Sequence, residues 1–302
     1  MRITTDWICH DGRLGYLAWP ERAATPLPAV LVIQEIWGVD AHIQDVTVRL
    51  ASAGYAAFAL DLYATNGRRP ESMTVERIAE VQAFMNTLPR TTWTNPAERD
   101  VELAKLSEPL RTRINETHKA LFAGIESLDR FVPPLVATTC YLRQSCPVSR
   151  GQKVACVGFC MGGGLSALLA CNDPELSGAA VFYGKAPPAD LVPRIACPVI
   201  GFYGGLDQRI NAGIPAFAEA MRAAGKRFEH RIYEGAPHAF FNDTRPSYEV
   251  RAARASFARL LEFLQGTTGT MKRVVEPGKF DIMVGASSAD IRQHGTLEVA
   301  KK

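Results

Sequence analysis

The 302-residue chain contains no apolar run approaching 18 residues, so no segment reads as a membrane-spanning helix. The opening MRITTDWICHDG has neither a basic stretch followed by an apolar core nor a cleavage site, and so does not read as a secretory leader. Charge of one sign is also missing as a block. The 34 basic and 31 acidic residues leave a net charge of +3, and nucleic acid is not an implied partner. There is no C-x-x-C pair, no H-E-x-x-H and no clustered Cys/His spacing, so neither a metal nor another cofactor is expected. The 7 cysteines (9, 140, 146, 156, 160, 171 and 197) are an odd number scattered through apolar segments. They read as reduced thiols, and a cytoplasmic location is expected.

What remains is a globular chain with 47% hydrophobic residues, enough for one large α/β domain or two small ones. Thr4–Cys9 and Leu14–Ala18 flank an Asp11-Gly12 turn and predict a hairpin. The runs 29–34 (AVLVIQ), 56–60 (AAFAL), 154–157, 178–182, 198–203 and 229–233 read as short strands, most of them apolar throughout, and helical patterns lie between most of them. This alternation predicts an α/β fold with a doubly wound, mostly parallel sheet. From 64 to 132 no strand pattern appears. Polar helical patterns separated by Pro70, Pro89, Pro96 and Pro109 predict a helical insertion, read as a lid whose Arg68, Arg69, Arg77 and Trp93 face a substrate.

The stretch KVACVGFCMGGG, 153–164, runs from an apolar strand into glycines and then into Leu165, Leu168 and Leu169 at helical spacing. Cys160 therefore sits at a strand-to-helix turn within the pattern G-x-C-x-G, the position of a nucleophile in a hydrolase elbow. A buried structural cysteine beside a glycine-rich turn is the alternative. A cysteine nucleophile needs a base, and the base needs an orienting carboxylate. His238 follows the 229–233 strand and Asp207 follows the 198–203 strand, so nucleophile, acid and base occur in the chain order of α/β-hydrolases. Singly, Asp207 also suits a turn and His238 a solvated loop; their joint placement at strand ends is the argument. Glu35 closes the 29–34 strand and is read beside the sulfur, though a surface acid would fit there too. His10, His42, His118, His230 and His294 lie in a turn, on helices, within a strand and in the tail, and read as structural or solvated.

The stretches QEIWGV (34–39), GYAAFALDLYA (54–64), VGFCMGG (157–163), FYGGLDQRI (202–210) and GAPHAFFNDTRPSY (235–248) resemble the dienelactone hydrolases, α/β-hydrolases with a cysteine nucleophile, over about residues 1–265. The resemblance implies Cys160 as nucleophile, Asp207 as acid, His238 as base and Glu35 as an acid touching the resting nucleophile. It also implies the backbone N–H groups of Ile36 and Met161 as the oxyanion hole. Members specific for dienelactones hold the substrate carboxylate with arginines, one of them four residues after the histidine, where this chain has Asn242. Trp37, Arg77, Phe240, Asn242 and Arg245 are the substrate-binding candidates. A thiol ordinarily ionises at about pH 8.5; an imidazolium and a helix amino terminus favour the thiolate, and a nearby carboxylate opposes it.

The expected activity is hydrolysis of activated esters or lactones through a thioester, with a small-molecule partner, no membrane or nucleic-acid partner, and a homodimer left open. General carboxylesterase or thioesterase activity on the same triad is the enzymatic alternative, and a thiol-sensing or small-molecule-binding protein the non-enzymatic one. Residues 271–300 resemble the last strands of the fibronectin-like terminal domain of family 3 glycoside hydrolases. Alternation at Phe280, Ile282 and Val284, and at Leu297 and Val299, predicts a hairpin within a 266–302 extension. Such a hairpin is marginal alone, and is expected to dock on the body or on a second subunit.

Overall fold

Asp11 and Gly12, at φ 48° and 74°, reverse the chain between β1 (Ile3–His10) and β2 (Arg13–Pro20) as the Asp-Gly pair predicts. This is seen in a computed structural model that describes residues 2–24, 26–89, 92, 95–269, 278–287 and 290–300. The hairpin begins an eight-stranded sheet that continues with β3 (Ala29–Ile33), β4 (Ala56–Leu60), β5 (Val154–Phe159), β6 (Ala179–Phe182), β7 (Val199–Gly204) and β8 (Phe228–Tyr233). The order across the sheet is β1-β2-β4-β3-β5-β6-β7-β8. The hairpin joins β4 antiparallel, and every pair from β4 to β8 is parallel.

Successive residues of a strand face opposite sides of a sheet, so a strand buried at every position is covered on both faces. That holds for β3, β4, β5, β6 and β7. The cover comes from helices including α1 (Ala41–Ser52), which meets β2, β3 and β4, together with others later in the chain. Between β4 and β5 lie α2 (Val75–Asn86), α3 (Pro96–Ala104), α4 (Leu110–Glu126) and α5 (Val132–Gln144), the expected helical stretch with no named strand among its described residues. Beyond β5 come α6 (Met161–Asn172), α7 (Gln208–Asn211), α8 (Ile214–Ala223) and α9 (Val250–Thr268). α6 packs on β5 and β6, and α9 also meets β5.

The chain divides into two compact units, Met1–Gly269 and Thr270–Lys302. The boundary expected at 265/266 falls inside α9, whose helical hydrogen bonding continues to Thr268. In the second unit β9 (Gly278–Ser287) pairs antiparallel with β10 (Asp290–Val299), with Phe280 opposite Leu297, so the two strands of the predicted hairpin are present.

Candidate active site

β5 ends where Cys160 takes φ 55° and ψ −112°, a conformation that costs a side-chain-bearing residue on the order of 1–3 kcal/mol and needs its surroundings to enforce it. The Cys160 N–H donates to Phe182 O at 3.0 Å, and the Gly163 N–H donates to Cys160 O at 3.0 Å. Chain crossings around the turn leave no room for side chains. A Cβ on Gly158 would lie 1.8 Å from Gly162 O, and one on Gly162 would lie 2.2 Å from Ile33 O. The glycines of 158–164 thus allow the start of α6 to sit against β5 and the end of β3, and the sulfur is presented at the helix amino terminus.

The ends of the other strands converge on this sulfur. His238, in the loop after β8, places Nε2 3.3 Å from Cys160 Sγ. Its Nδ1 lies 2.5 Å from Oδ2 of Asp207, which follows β7. The ring packs edge-on to Tyr183, with centroids 5.1 Å apart. Burial alone favours the neutral imidazole, but the negative charge of a Cys160 thiolate and the hydrogen bond with Asp207 outweigh it and raise the His238 pKa to about 10. The arrangement can hold an imidazolium–thiolate pair. No hydrogen bond from the Ile36 or Met161 N–H to another protein group occurs among the described residues, which leaves both donors available.

Glu35, 2% exposed just past β3, accepts from Tyr183 Oη at 3.2 Å and from Asn242 Nδ2 at 2.8 Å. Its hydrogen bonds go to these two groups and that of Cys160 Sγ goes to His238, so Tyr183 links Glu35 to the edge of the His238 ring. Burial and the charges of Glu35 and Cys160 push the Tyr183 phenol well above its ordinary range, which keeps it a hydrogen-bond donor.

A family model described as the dienelactone hydrolase family matches residues 14–268. The chain belongs to the dienelactone hydrolase family. Its sheet and helices are those of the α/β-hydrolase fold. It is 32% identical over 251 residues to a protein of Saccharolobus solfataricus provisionally named carboxymethylenebutenolidase, covering 83% of this chain and 92% of the relative. A Bradyrhizobium relative, provisionally named 2-oxo-3-(5-oxofuran-2-ylidene)propanoate lactonase, is 27% identical and is covered to 94%, against 87% of this chain. Among solved structures, a provisionally named dienelactone hydrolase from Klebsiella pneumoniae superposes with a TM-score of 0.63 at 26% identity, covering 87% of this chain and 98% of that one.

The substrate-binding candidates lie in several different environments. Arg77 donates to Thr117 Oγ1, Arg113 O and Glu116 Oε2 within the insertion, because α2 packs on α4 and brings these acceptors to it. Phe240 is fully buried and packs on Tyr183 and Tyr233. Asn242 holds Glu35, and its own Oδ1 accepts from Thr244 N and Oγ1. Trp37 is 3% exposed, with the Arg245 guanidinium 4.7 Å above its ring. The Nε and Nη2 of Arg245 are buried without a hydrogen-bond partner. Arg69 is bound to Asp61, and Trp93 lies outside the described residues.

A cavity of about 480 Å³ opens beside Cys160 and His238. Its walls include Leu128, Met161, Leu168, Tyr183, Lys185, Pro187, Arg209 and Ile210, and none of the five candidates. Leu128 and Asp129, near the end of the insertion, are its contribution to this wall among the described residues. Sequence reasoning passed over Tyr183, which reads as the continuation of the apolar strand 178–182, and Lys185, Arg209 and Ile210, which read as ordinary loop residues. The available signal was position, since all four follow the carboxyl ends of β6 and β7, where such sheets bind ligands.

Proposed function

We propose that this member of the family hydrolyses activated esters or lactones through a Cys160–His238–Asp207 triad and a thioester intermediate. The Cys160 thiolate attacks the substrate carbonyl carbon; a C–S bond forms and the carbonyl π pair moves to oxygen, which accepts from the N–H groups of Ile36 and Met161. Collapse of this intermediate breaks the bond to the leaving oxygen, which takes its proton from His238 Nε2. Water then adds to the thioester carbonyl while His238 accepts a proton, and cleavage of the C–S bond releases the acid and restores the thiolate and imidazolium. Asp207 orients the imidazole and stabilises its charge throughout. Glu35 acts as a positioning residue, by holding Tyr183 against His238 and by fixing Asn242.

The observation that carries this reading is the unbroken chain Asp207 Oδ2–His238–Cys160 Sγ, with the sulfur held in a strained strand-to-helix turn. The provisional lactonase and butenolidase names of the relatives agree with it. The test is release of p-nitrophenol from its acetate ester, ring opening of an enol lactone, and mass spectrometry of the acidified reaction. A mass increase of one acyl group on Cys160 is expected, with loss of turnover in Cys160→Ala. Full activity in that variant would remove Cys160 from the reaction. Iodoacetamide should label Cys160 ahead of Cys156, which is fully buried against Ser166 with its thiol pushed up by burial.

A further inference from the structure

Resting on the hydrolase reading of Cys160, we propose that Tyr63, just past β4, is a positioning residue for the oxyanion hole: its hydroxyl holds the turn that presents the Ile36 N–H. The turn spans 35–38, between β3 and α1; the Gly38 N–H donates to Glu35 O at 3.4 Å, and Gly38 takes φ 85°. The buried Tyr63 hydroxyl donates to Ile36 O at 2.7 Å. The carbonyls of the two peptide planes that meet at the Ile36 Cα thus each have a donor, which restrains rotation of the plane carrying the Ile36 N–H. A donor to an oxyanion acts from about 2.7–3.1 Å of the place where the charge develops, so its direction has to be set before substrate arrives.

The segment after β4 is itself held. Asp61 Oδ1 accepts from the Tyr63 N–H at 3.0 Å, and Asp61 Oδ2 accepts from Arg69 Nε at 2.7 Å, with the two charged side chains 2% and 9% exposed. The Leu62 N–H donates to Gln34 Oε1 at 3.1 Å, which ties the same segment to the end of β3. A Cβ on Gly38 would lie 2.6 Å from Arg69 Nη2, so the guanidinium rests against the exit of the turn. Phe131 packs edge-on to the Tyr63 ring, with centroids 6.5 Å apart. Burial, followed by the charges of Cys160 and Asp61, pushes the Tyr63 phenol above its ordinary range, so it stays a donor. On the other flank the Arg245 guanidinium lies 4.7 Å above the Trp37 ring and Asn242 holds the Glu35 carboxylate. Those contacts fix side chains of the turn, whereas Tyr63 fixes its backbone. Tyr63 is not on the wall of the cavity beside Cys160, so it acts through Ile36 and not on the substrate.

The experiment compares wild type with Tyr63→Phe, which removes only the hydroxyl, in two reactions of the same sulfur. Hydrolysis of p-nitrophenyl acetate passes through an oxyanion in both acylation and deacylation. Alkylation by iodoacetamide is a displacement at a saturated carbon that releases iodide, and forms none. In Tyr63→Phe, kcat/KM for the ester should fall about 10- to 100-fold, short of the roughly 100- to 1,000-fold of losing an oxyanion donor outright. The rate of Cys160 alkylation and its pH profile should stay as in wild type. Arg69→Lys keeps a cation for Asp61 but takes the planar group from Gly38, and should show the same split to a smaller degree. Hydrogen exchange over 34–39, read by mass spectrometry, should quicken in both variants.

An ester kcat/KM in Tyr63→Phe within about twofold of wild type overturns the proposal. A parallel fall in hydrolysis and alkylation also overturns it, since a general support of the site would give that result. If Tyr63→Phe does not fold, Arg69→Lys decides: hydrolysis slowed with alkylation intact supports the proposal, and both unchanged overturns it. If wild type hydrolyses no ester while exchange over 34–39 still quickens in Tyr63→Phe, the hydrolase reading fails and the hold on the turn stands. If both variants hydrolyse the ester as wild type does, the hydrolase reading stands and this proposal fails.

Discussion

Replacing Asp207 by Asn removes one negative charge and leaves the shape of the side chain. Asp207 is the partner of His238 Nδ1 at 2.5 Å, with its side chain 8% exposed, so little water can take its place. A charge-assisted hydrogen bond in such a setting is worth about 1.5–3 kcal/mol, which lowers the population of the imidazolium–thiolate pair by roughly 10- to 150-fold. Loss of the correct tautomer adds to this, and the equivalent change in serine triads reduces kcat by roughly 10,000-fold. We expect a fall in kcat of about 1,000-fold or more with KM little changed, together with loss of thiolate absorbance near neutral pH. The linkage to folding has a definite sign. The His238 pKa is raised from an ordinary 6.5 to about 10, so the stability from holding the ring protonated is complete below pH 6.5 and is lost as pH rises through about 10. The stability gap between wild type and Asp207→Asn in urea melts should therefore be widest below pH 6.5 and close towards pH 10. A variant with kcat within twofold of wild type, or a gap that grows with rising pH, would refute the assignment of Asp207 to this pair.

Gly158→Ala puts a Cβ 1.8 Å from Gly162 O, backbone against backbone, so this variant should lose several degrees of Tm and most thiol reactivity at Cys160, read by calorimetry and alkylation; a native Tm with native reactivity would show that the elbow can open. Glu35→Gln removes a negative charge beside Tyr183, which packs on His238, so alkylation of Cys160 at pH 6–7 should quicken severalfold; a slower reaction would mean that lost positioning of Tyr183 outweighs the charge. His118, stacked on Phe122 at 4.2 Å, has its pKa lowered to about 4, first by burial and then by the charge of Arg99. The stability of its neutral form is complete above pH 6.5 and lost as pH falls through about 4, so His118→Phe should unfold at lower pH in acid titrations; an unchanged midpoint would exclude this group as an acid trigger.

The core strands were legible because a strand buried on both faces must be short and apolar at every position, and 56–60 is strand over the whole run that the sequence marks. That Cys160, Asp207 and His238 come together was legible for a related reason. Each is a chemically distinctive residue placed just after such a run, and parallel strands bring those ends to one edge of the sheet. The α9 boundary was misplaced by a few residues because the apolar face weakens at Gln265 and Gly266 while the backbone hydrogen bonds continue to Thr268.

What was not legible is the direction a side chain takes once its strand has ended. His238 and Phe240 are close in sequence, yet one reaches Cys160 and the other enters the core, with Ala239 at φ 60° between them. Tyr183 continues an apolar strand by composition, but at φ 39° its ring turns to His238 and its hydroxyl to Glu35. Positive φ at residues other than glycine, asparagine or aspartate leaves no compositional trace, because the tertiary contacts around the turn impose it. Charged partners present the same difficulty. Arg77 is a plausible carboxylate ligand by residue type, but its nearest acid, Glu116, comes from another helix 39 positions away. Asn242 stands where the resemblance implies an arginine, and its amide binds Glu35. An amide at this position gives Glu35 a donor without bringing a positive charge. The cavity beside Cys160 is lined instead by Lys185 and Arg209, which follow β6 and β7, positions that only the ends of the folded strands bring to the nucleophile.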